Sequence, residues 1–334
     1  MLGSKETVKR AIHFQKPDYI PLMYYDHALI EKSDVVSVFV TELAGGPDGD
    51  TSEWGFKWEL EEKSNGFYAP GSPKYPAITD WSQLADYKPL SADKPGRFDY
   101  AHKLMAQYPD KYYVANLECS NFSLCAFIRG FEDFLCDLYQ EPDYVRQLTN
   151  IIFDAEEELI RACAKAGFDA IWWEDDWGTQ KGLLVNPNII RQFFLPRMKK
   201  AVDLAHSLNL DVWMHSCGYI YELIPDIIEA GIDGLNLGQT SLNNVEHLGQ
   251  DFGGKICFLT PGNYQSTGIT GTVDEIYAEI KSFTENLNTP KGGMVGLVSA
   301  VSTRLGYGAP EENALALPAA FEKYCGRNNP IHYD

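Results

Sequence analysis

Hydrophobic positions along the chain switch repeatedly between a period of two and a period near 3.6, which predicts strands alternating with helices. The strand-like runs are 20–25, 112–118, 170–173, 212–217, 234–237, 255–260 and 293–298. They are almost continuously apolar, as strands covered on both faces are. Helical periods fall at 4–13, 98–108, 133–140, 144–166, 187–207, 220–230, 273–286 and 310–324. Pro196 predicts a kink or break inside the fifth of these. Thr272 and Glu275 open the seventh with a capping-box spacing. The stretch 28–95 is less regular. Its segment 50–66, with Trp54-Gly-Phe-Lys-Trp58, alternates like a small hairpin, and 68–76 is rich in turn residues. It reads as an insertion over a barrel mouth, not as a separate domain. Strand–helix units of roughly 30–45 residues predict a (β/α)8 TIM barrel. That barrel is one domain over 1–334, with its eighth strand inside 28–60. A doubly wound open sheet is the alternative, and no G-x-G-x-x-G follows the first strand to support it.

Composition narrows the partners. Of 334 residues 45% are hydrophobic, so a sizeable core is available. The net charge of −19 argues against nucleic acid and against an anionic membrane surface. No apolar run approaches ~20 residues, and the first residues have no signal-type apolar core, so a cytoplasmic location is expected. Seven scattered cysteines do not form a disulfide framework.

The chemistry gathers at predicted strand ends, which in a barrel face one pocket. His215 and Cys217 stand two residues apart at the end of the fourth strand-like run, so both point to the same side. A borderline nitrogen beside a soft sulfur suits zinc, although cysteine is also among the residues most often simply buried. A catalytic zinc needs a third ligand and keeps a fourth place open. The run Glu174-Asp175-Asp176 ends the preceding strand. Three adjacent acids repel, which a cation or a proton-transfer role would explain; as a solvated loop start they would only cap the next helix. Glu118, Tyr25, His27, Gln239, Asn263 and Ser299 complete the strand-end set. Cys125, Cys136, Cys163 and Cys257 lie inside regular elements and are expected in the core; His13, His102, His206 and His247 are expected on helix surfaces.

Several further segments form a pattern: Arg10-Ala-Ile-His-Phe-Gln-Lys-Pro-Asp-Tyr-Ile-Pro21, the Asp50–Trp58 segment, Gly130-Phe-Glu-Asp133 and Glu174-Asp-Asp-Trp-Gly178. The most specific is His215-Ser-Cys-Gly218 with Ile224-Pro225, Gly231-Ile-Asp233 and Asn236. Together they resemble the uroporphyrinogen decarboxylase-like superfamily, and within it the corrinoid-dependent methyltransferases. The resemblance implies a (β/α)8 barrel, methyl transfer, and zinc held by the His-x-Cys pair plus a later cysteine. Two features depart from the family pattern. Decarboxylases carry an arginine-rich loop after the first strand that grips porphyrinogen carboxylates, and here that place holds Met23-Tyr-Tyr-Asp-His27. The late cysteine of the thiol-methylating members is absent from 298–302.

The resemblance therefore points to an O-demethylase-type enzyme. A methyl group would pass from a small methoxylated donor, with aromatic ethers among the candidates, to a corrinoid carried by a partner protein. The site expected on this basis has His215, Cys217 and Glu174 as zinc ligands, with Glu118 the alternative third ligand. Glu174, Asp175 and Asp176 are the catalytic acids. Tyr25, His27, Trp177, Gln239, Asn263 and Tyr264 are the substrate-binding residues. Porphyrinogen decarboxylation and a non-catalytic binding module are the rival readings.

Overall fold

The computed structural model describes residues 2–43, 50–62 and 68–332. Among the described residues ten strands form: β1 (Leu22–Tyr24), β2 (Val35–Phe39), β3 (Lys57–Glu62), β4 (Tyr68–Tyr75), β5 (Tyr112–Cys119), β6 (Ala170–Glu174), β7 (Asp211–Ser216), β8 (Gly234–Leu237), β9 (Cys257–Pro261) and β10 (Met294–Val298). Eight of them close into a parallel barrel in the order β1-β10-β9-β8-β7-β6-β5-β2, and β3 pairs with β4 alone. The chain is thus a (β/α)8 TIM barrel, and the strand expected within 28–60 is β2.

Alternation along the strands divides the core in two. Met23, Val35, Tyr112, Val114, Trp172, Trp213, Leu259, Val295 and Leu297 point inward and form one cluster. Their neighbours Leu22, Tyr113, Ile171, Trp173, Val212 and Phe258 point outward under the helices. The N-terminal helix Ser4–Ile12 closes the barrel floor by adding Val8 and Ile12 to the inner cluster. A column of rings fills the bore. Tyr112 stacks on Trp213 at 5.7 Å, Trp213 meets Trp172 edge-on at 5.7 Å, and Tyr25 lies 6.4 Å above Trp172. With the bore packed, a site can form only at its two ends.

The segment 68–76, expected as turns, contributes β4, antiparallel to β3. Pairing with β3 supplies the ladder that its own composition does not advertise. The remainder of the expected hairpin, 63–66, lies outside the described residues. Phe56 and Trp58 pack edge-on against Phe127, with centroids 5.6 and 5.5 Å from it, so the β3 side of the hairpin leans on the helix Asn121–Arg129. Pro196 falls in the first turn of Leu195–Ser207, and the preceding helix ends at Phe193, so the predicted break is present. Cys136, expected in the core, is exposed, because it lies on the outer face of Phe131–Gln140. Among the described residues no helix is long and apolar enough to cross a membrane.

Candidate active site at the barrel mouth

The inward-facing parity that packs the bore continues to the carboxyl ends of the strands, where it places Tyr25, Phe39, Glu174, His215, Asn236, Pro261 and Ser299 on one face. These residues, with Trp172, Gly238, Tyr264, Arg304 and Tyr307, line a cavity of about 390 Å³. His215 ends the inner row of β7, which runs from Asp211 through Trp213. Cys217 follows one residue past the strand, and its Sγ is 3.3 Å from His215 Nε2.

The imidazole orientation follows from its neighbours. Asn236 Nδ2 donates to the Leu259 carbonyl at 2.6 Å, so its Oδ1 faces His215 Nδ1. Nδ1 then carries the proton that Asn236 accepts, and Nε2 is left to face Cys217 and Asp176. Asp176 Oδ1 lies 3.3 Å from Nε2 and also accepts the Cys217 backbone N–H at 2.8 Å. One donor atom from each of Asp176, His215 and Cys217 falls within 4.8 Å of the other two. An outer partner that fixes the ring while its second nitrogen faces a thiol and a carboxylate is the arrangement a zinc ion needs.

Backbone contacts hold the two loops that carry these donor side chains. Gly218 has φ +81, and an added Cβ would fall 2.6 Å from the Gly178 Cα, so the chains touch where only glycine fits. Tyr219 N–H donates to the Thr179 carbonyl, and Trp177 N–H to the Ser216 hydroxyl. Gly238 keeps the donor set open: a Cβ there would stand 2.8 Å from Cys217 Sγ and 3.0 Å from the His215 ring. Gly238→Ala is therefore expected to push the two ligands apart and lower zinc affinity by at least about tenfold, the size of effect seen when a supporting shell is damaged. Equilibrium dialysis against zinc checks this, and unchanged affinity would count against the donor set.

The electrostatics agree with a cation site. Burial by itself favours a neutral His215. The Asp176 hydrogen bond, the Cys217 contact and charge, and the Glu174 charge outweigh it and raise its pKa well above the ordinary value. Surroundings that hold a proton on a buried imidazole would equally hold a divalent cation in its place. Burial opposes ionisation of Asp176 too, yet its bonds to His215 and to the Cys217 amide bring its pKa below the usual range.

The three adjacent acids therefore have three environments. Glu174 points into the cavity and accepts from Asn116 Nδ2 at 2.7 Å. Asp175 is buried and accepts from Phe122 N, Ser123 N and Trp177 Nε1 at 3.1, 2.8 and 2.5 Å. It pins the start of Asn121–Arg129 under the site. Asp176, 52% exposed, reaches the ligands at the rim. Of the other expected residues, Tyr25 and Tyr264 line the cavity. His27 lines an adjoining recess that shares Tyr25, Phe39 and Ala300 with it. Its ring nitrogens meet Tyr100 Oη and the Ser37 carbonyl. Trp177 is buried behind the loop, Gln239 Oε1 accepts from Gly218 N, and the Asn263 side chain donates to Ser266. Glu118 faces Thr41 and the Leu43 amide. Burial raises its pKa to about 7, the Glu174 charge adding to it and the Thr41 bond opposing. Asn116, Gly238 and Arg304 were not anticipated. For Asn116 the signal is its place two residues before Glu118 on the inner row of β5. The Arg304 guanidinium donates to the Gly262 and Asn263 carbonyls.

Behind the site lies an acid the surroundings do not balance. Glu156 is 1% exposed, and no side chain among the described residues hydrogen-bonds its carboxylate; only the Asn121 backbone and the more distant Arg197 charge favour its ionised form. Burial, and then the Asp175 charge, raises its pKa to about 8. Burial raises Asp175 itself to about 7 against its three donors. In the unfolded chain such acids release their protons near pH 4. Between about pH 4 and pH 8 the folded chain thus holds more protons, and its stability falls as pH rises through that window. Glu156→Gln keeps the shape without the charge. It is expected to match the parent near pH 5 and exceed it at pH 8, by on the order of 1–3 kcal/mol. Urea melts at the two pH values test this, and a parallel loss in both proteins would refute it.

Comparison with known proteins places the site in context. Residues 55–324 match the pattern of the uroporphyrinogen decarboxylase (URO-D) family. A methylcobamide:CoM methyltransferase, MtaA, from Methanosarcina barkeri is 27% identical over 218 residues, 65% of this chain and 59% of that protein. The chain thus aligns with less than two thirds of that relative's length. A solved methyltransferase from Methanosarcina mazei superposes with a TM-score of 0.64 at 17% identity, over 97% of this chain and 99% of the other. At that identity the likeness is one of fold.

Proposed function

Since residues 55–324 place this chain in the uroporphyrinogen decarboxylase family, we propose that it is a zinc-dependent cytoplasmic methyltransferase, passing a methyl group from a small methoxylated donor to the corrinoid of a partner protein. The observation that carries this reading is the Asp176–His215–Cys217 donor set beside an aromatic-walled cavity at the barrel mouth. The name of the Methanosarcina barkeri relative pairs a methylcobamide, there the methyl donor, with coenzyme M, which supports a corrinoid as one of the two reaction partners. In this reading His215, Cys217 and Asp176, in place of the Glu174 or Glu118 expected from the sequence, would hold zinc, which when bound supplies Lewis acidity at the ether oxygen.

The chain's own groups do the rest. Tyr25, Trp172, Tyr264 and Tyr307 offer ring faces to a planar donor. Burial, then the Cys217 charge, raises the pKa of Tyr264, so that phenol stays neutral and able to donate. When the methyl–oxygen bond breaks and the methyl passes to cobalt, the leaving oxygen needs a proton. Glu174 is the carboxyl in the cavity placed to pass it on, once it has itself taken up a proton. Glu118, whose charge interacts with that of Glu174, retains a proton up to about pH 7.

Two departures favour an ether donor over the rival chemistries. The segment 298–302 holds no cysteine to act as a second thiolate, and Ser299 and Ala300 line the cavity instead. Arg304 is the arginine in the described lining, and its guanidinium is already bound to backbone carbonyls, so a porphyrinogen polycarboxylate has no clamp. The test is anaerobic, with the purified chain, a reduced corrinoid protein and a panel of methoxylated aromatics. Methylated corrinoid and one released phenol per turnover are expected. Coproporphyrinogen formation from uroporphyrinogen at ordinary enzyme rates, ~1–10³ per second, would overturn the proposal. Methylation of coenzyme M without any ether cleavage would replace the donor class.

A further inference from the structure

The floor of the barrel, at the opposite end of the packed bore, carries a second gathering of metal-ligating side chains. His13 follows the helix Ser4–Ile12, Asp211 opens β7, and Asp233 immediately precedes β8. One donor atom from each lies within 4.8 Å of the other two. His13 Nε2 is 2.9 Å from Asp211 Oδ1. His206, in the last turn of Leu195–Ser207, brings its Nε2 to 2.8 Å from Asp233 Oδ2. Four elements contribute one side chain each, so it is barrel closure that assembles them.

We propose that this cluster is a structural site for a divalent transition metal of the zinc type, with His13, Asp211 and Asp233 as ligands and His206 as the fourth donor. Ligands about 2.0–2.2 Å from zinc stand roughly 3.3–3.5 Å apart in a tetrahedron; the His13–Asp211 and His206–Asp233 pairs, at 2.9 and 2.8 Å, lie within a small shift of that spacing. Two carboxylates beside two imidazoles, neutral once a metal displaces the protons that Asp211 and Asp233 favour on them, match a double positive charge. The carboxylates are oriented from behind, as ligand carboxylates usually are. Tyr112 Oη donates to Asp211 Oδ2 at 2.5 Å, and the Val212 N–H donates to Asp233 Oδ2 at 2.8 Å. The cluster borders a solvent-open recess of about 370 Å³, and both imidazoles are 40% exposed, so an ion can enter. Lys9 also borders the recess, with its ammonium 3.5 Å from Asp169. A metal here ties the end of the helix that plugs the bore to β7 and β8. The same atoms could instead form two metal-free His–Asp ion pairs, and only metal dependence separates these cases.

The test uses the untagged full chain carrying His215→Ala and Cys217→Ala, so that the mouth site is disabled, and stripped of metal with a chelator. Calorimetric titration with zinc chloride is expected to give about one zinc per chain, and excess zinc to raise the melting temperature. Adding His13→Gln, a half-exposed change outside the core, is expected to weaken that binding at least about tenfold and to remove most of the zinc-induced rise. Asp211→Asn should do the same. No zinc bound by the doubly substituted chain, or unchanged affinity after His13→Gln, would leave only the ion pairs and overturn the proposal.

Discussion

Cys217→Ala is expected to remove one equivalent of zinc relative to the parent and to take methyl transfer with it. Cys217 supplies the thiolate, the softest ligand in the proposed set, from a loop held by Asp176 and by the Gly178–Gly218 contact. Without it, His215 and Asp176 leave a two-ligand site, short of the three protein ligands that catalytic zinc usually has. Even outer partners of a metal site are worth 10–100-fold in affinity or activity, so losing a ligand is expected to exceed that range. The hydrogen bonds that hold the imidazole, from Asn236 to Leu259, are untouched by the change, so the fold should survive. Metal content after dialysis, with the transfer rate on the same sample, checks both halves. The reading requires a difference of one equivalent between parent and variant, whatever other zinc the chain binds. Equal zinc in the two would remove Cys217 from the site.

The barrel was legible because its strands carry a signal that local sequence can hold. Runs such as 112–118 and 293–298 are apolar on both faces, and a barrel covered by helices is the arrangement that buries both. β2 was placed only within 28–60, because Val35–Phe39 is short and ends in the exposed Phe39. β4 was missed because Pro70, Gly71 and Pro73 announce turns; its partner strand supplies what composition withholds. Cys136 shows the same limit in a helix, where one residue of phase decides between core and solvent.

At the site, the His-x-Cys pair was readable from period two alone, since both side chains belong to one strand end. The division of labour among Glu174, Asp175 and Asp176 was not, because the loop past β6 no longer alternates. What assigns them is three-dimensional: Asn116 on β5 takes Glu174, Phe122 and Ser123 take Asp175, and Cys217 on the neighbouring loop takes Asp176. The floor cluster was invisible for the same reason. His13 and His206 look like helix-surface residues until closure brings Asp211 and Asp233 beneath them.

Conservative amide substitutions of Glu174 and Asp176 are expected to separate proton transfer from metal binding. Asp176→Asn retains an oxygen to accept the Cys217 N–H but loses the charge facing His215 Nε2 at 3.3 Å. Zinc affinity should fall on the order of tenfold or more, and activity should return when zinc is raised to saturation. Glu174→Gln keeps the contact with Asn116 through its carbonyl oxygen but has no proton to give. Zinc content should stay normal while demethylation slows by ~10²–10⁴-fold, the usual contribution of a general acid. Added zinc should not restore it. Asp175→Asn makes a third pattern: three donors converge on that carboxylate, so an amide nitrogen there must oppose an N–H. Its main expected effect is a loss of about 1–3 kcal/mol of stability, with metal affinity altered only through the loop. The outcome that would reverse the first two assignments is loss of zinc in Glu174→Gln with normal zinc in Asp176→Asn. Glu174 would then be the third ligand and Asp176 a loop anchor. If Glu174→Gln kept both zinc and turnover, the proton would have to come from elsewhere, and Tyr264, a neutral phenol lining the same cavity, is the nearest alternative in kind.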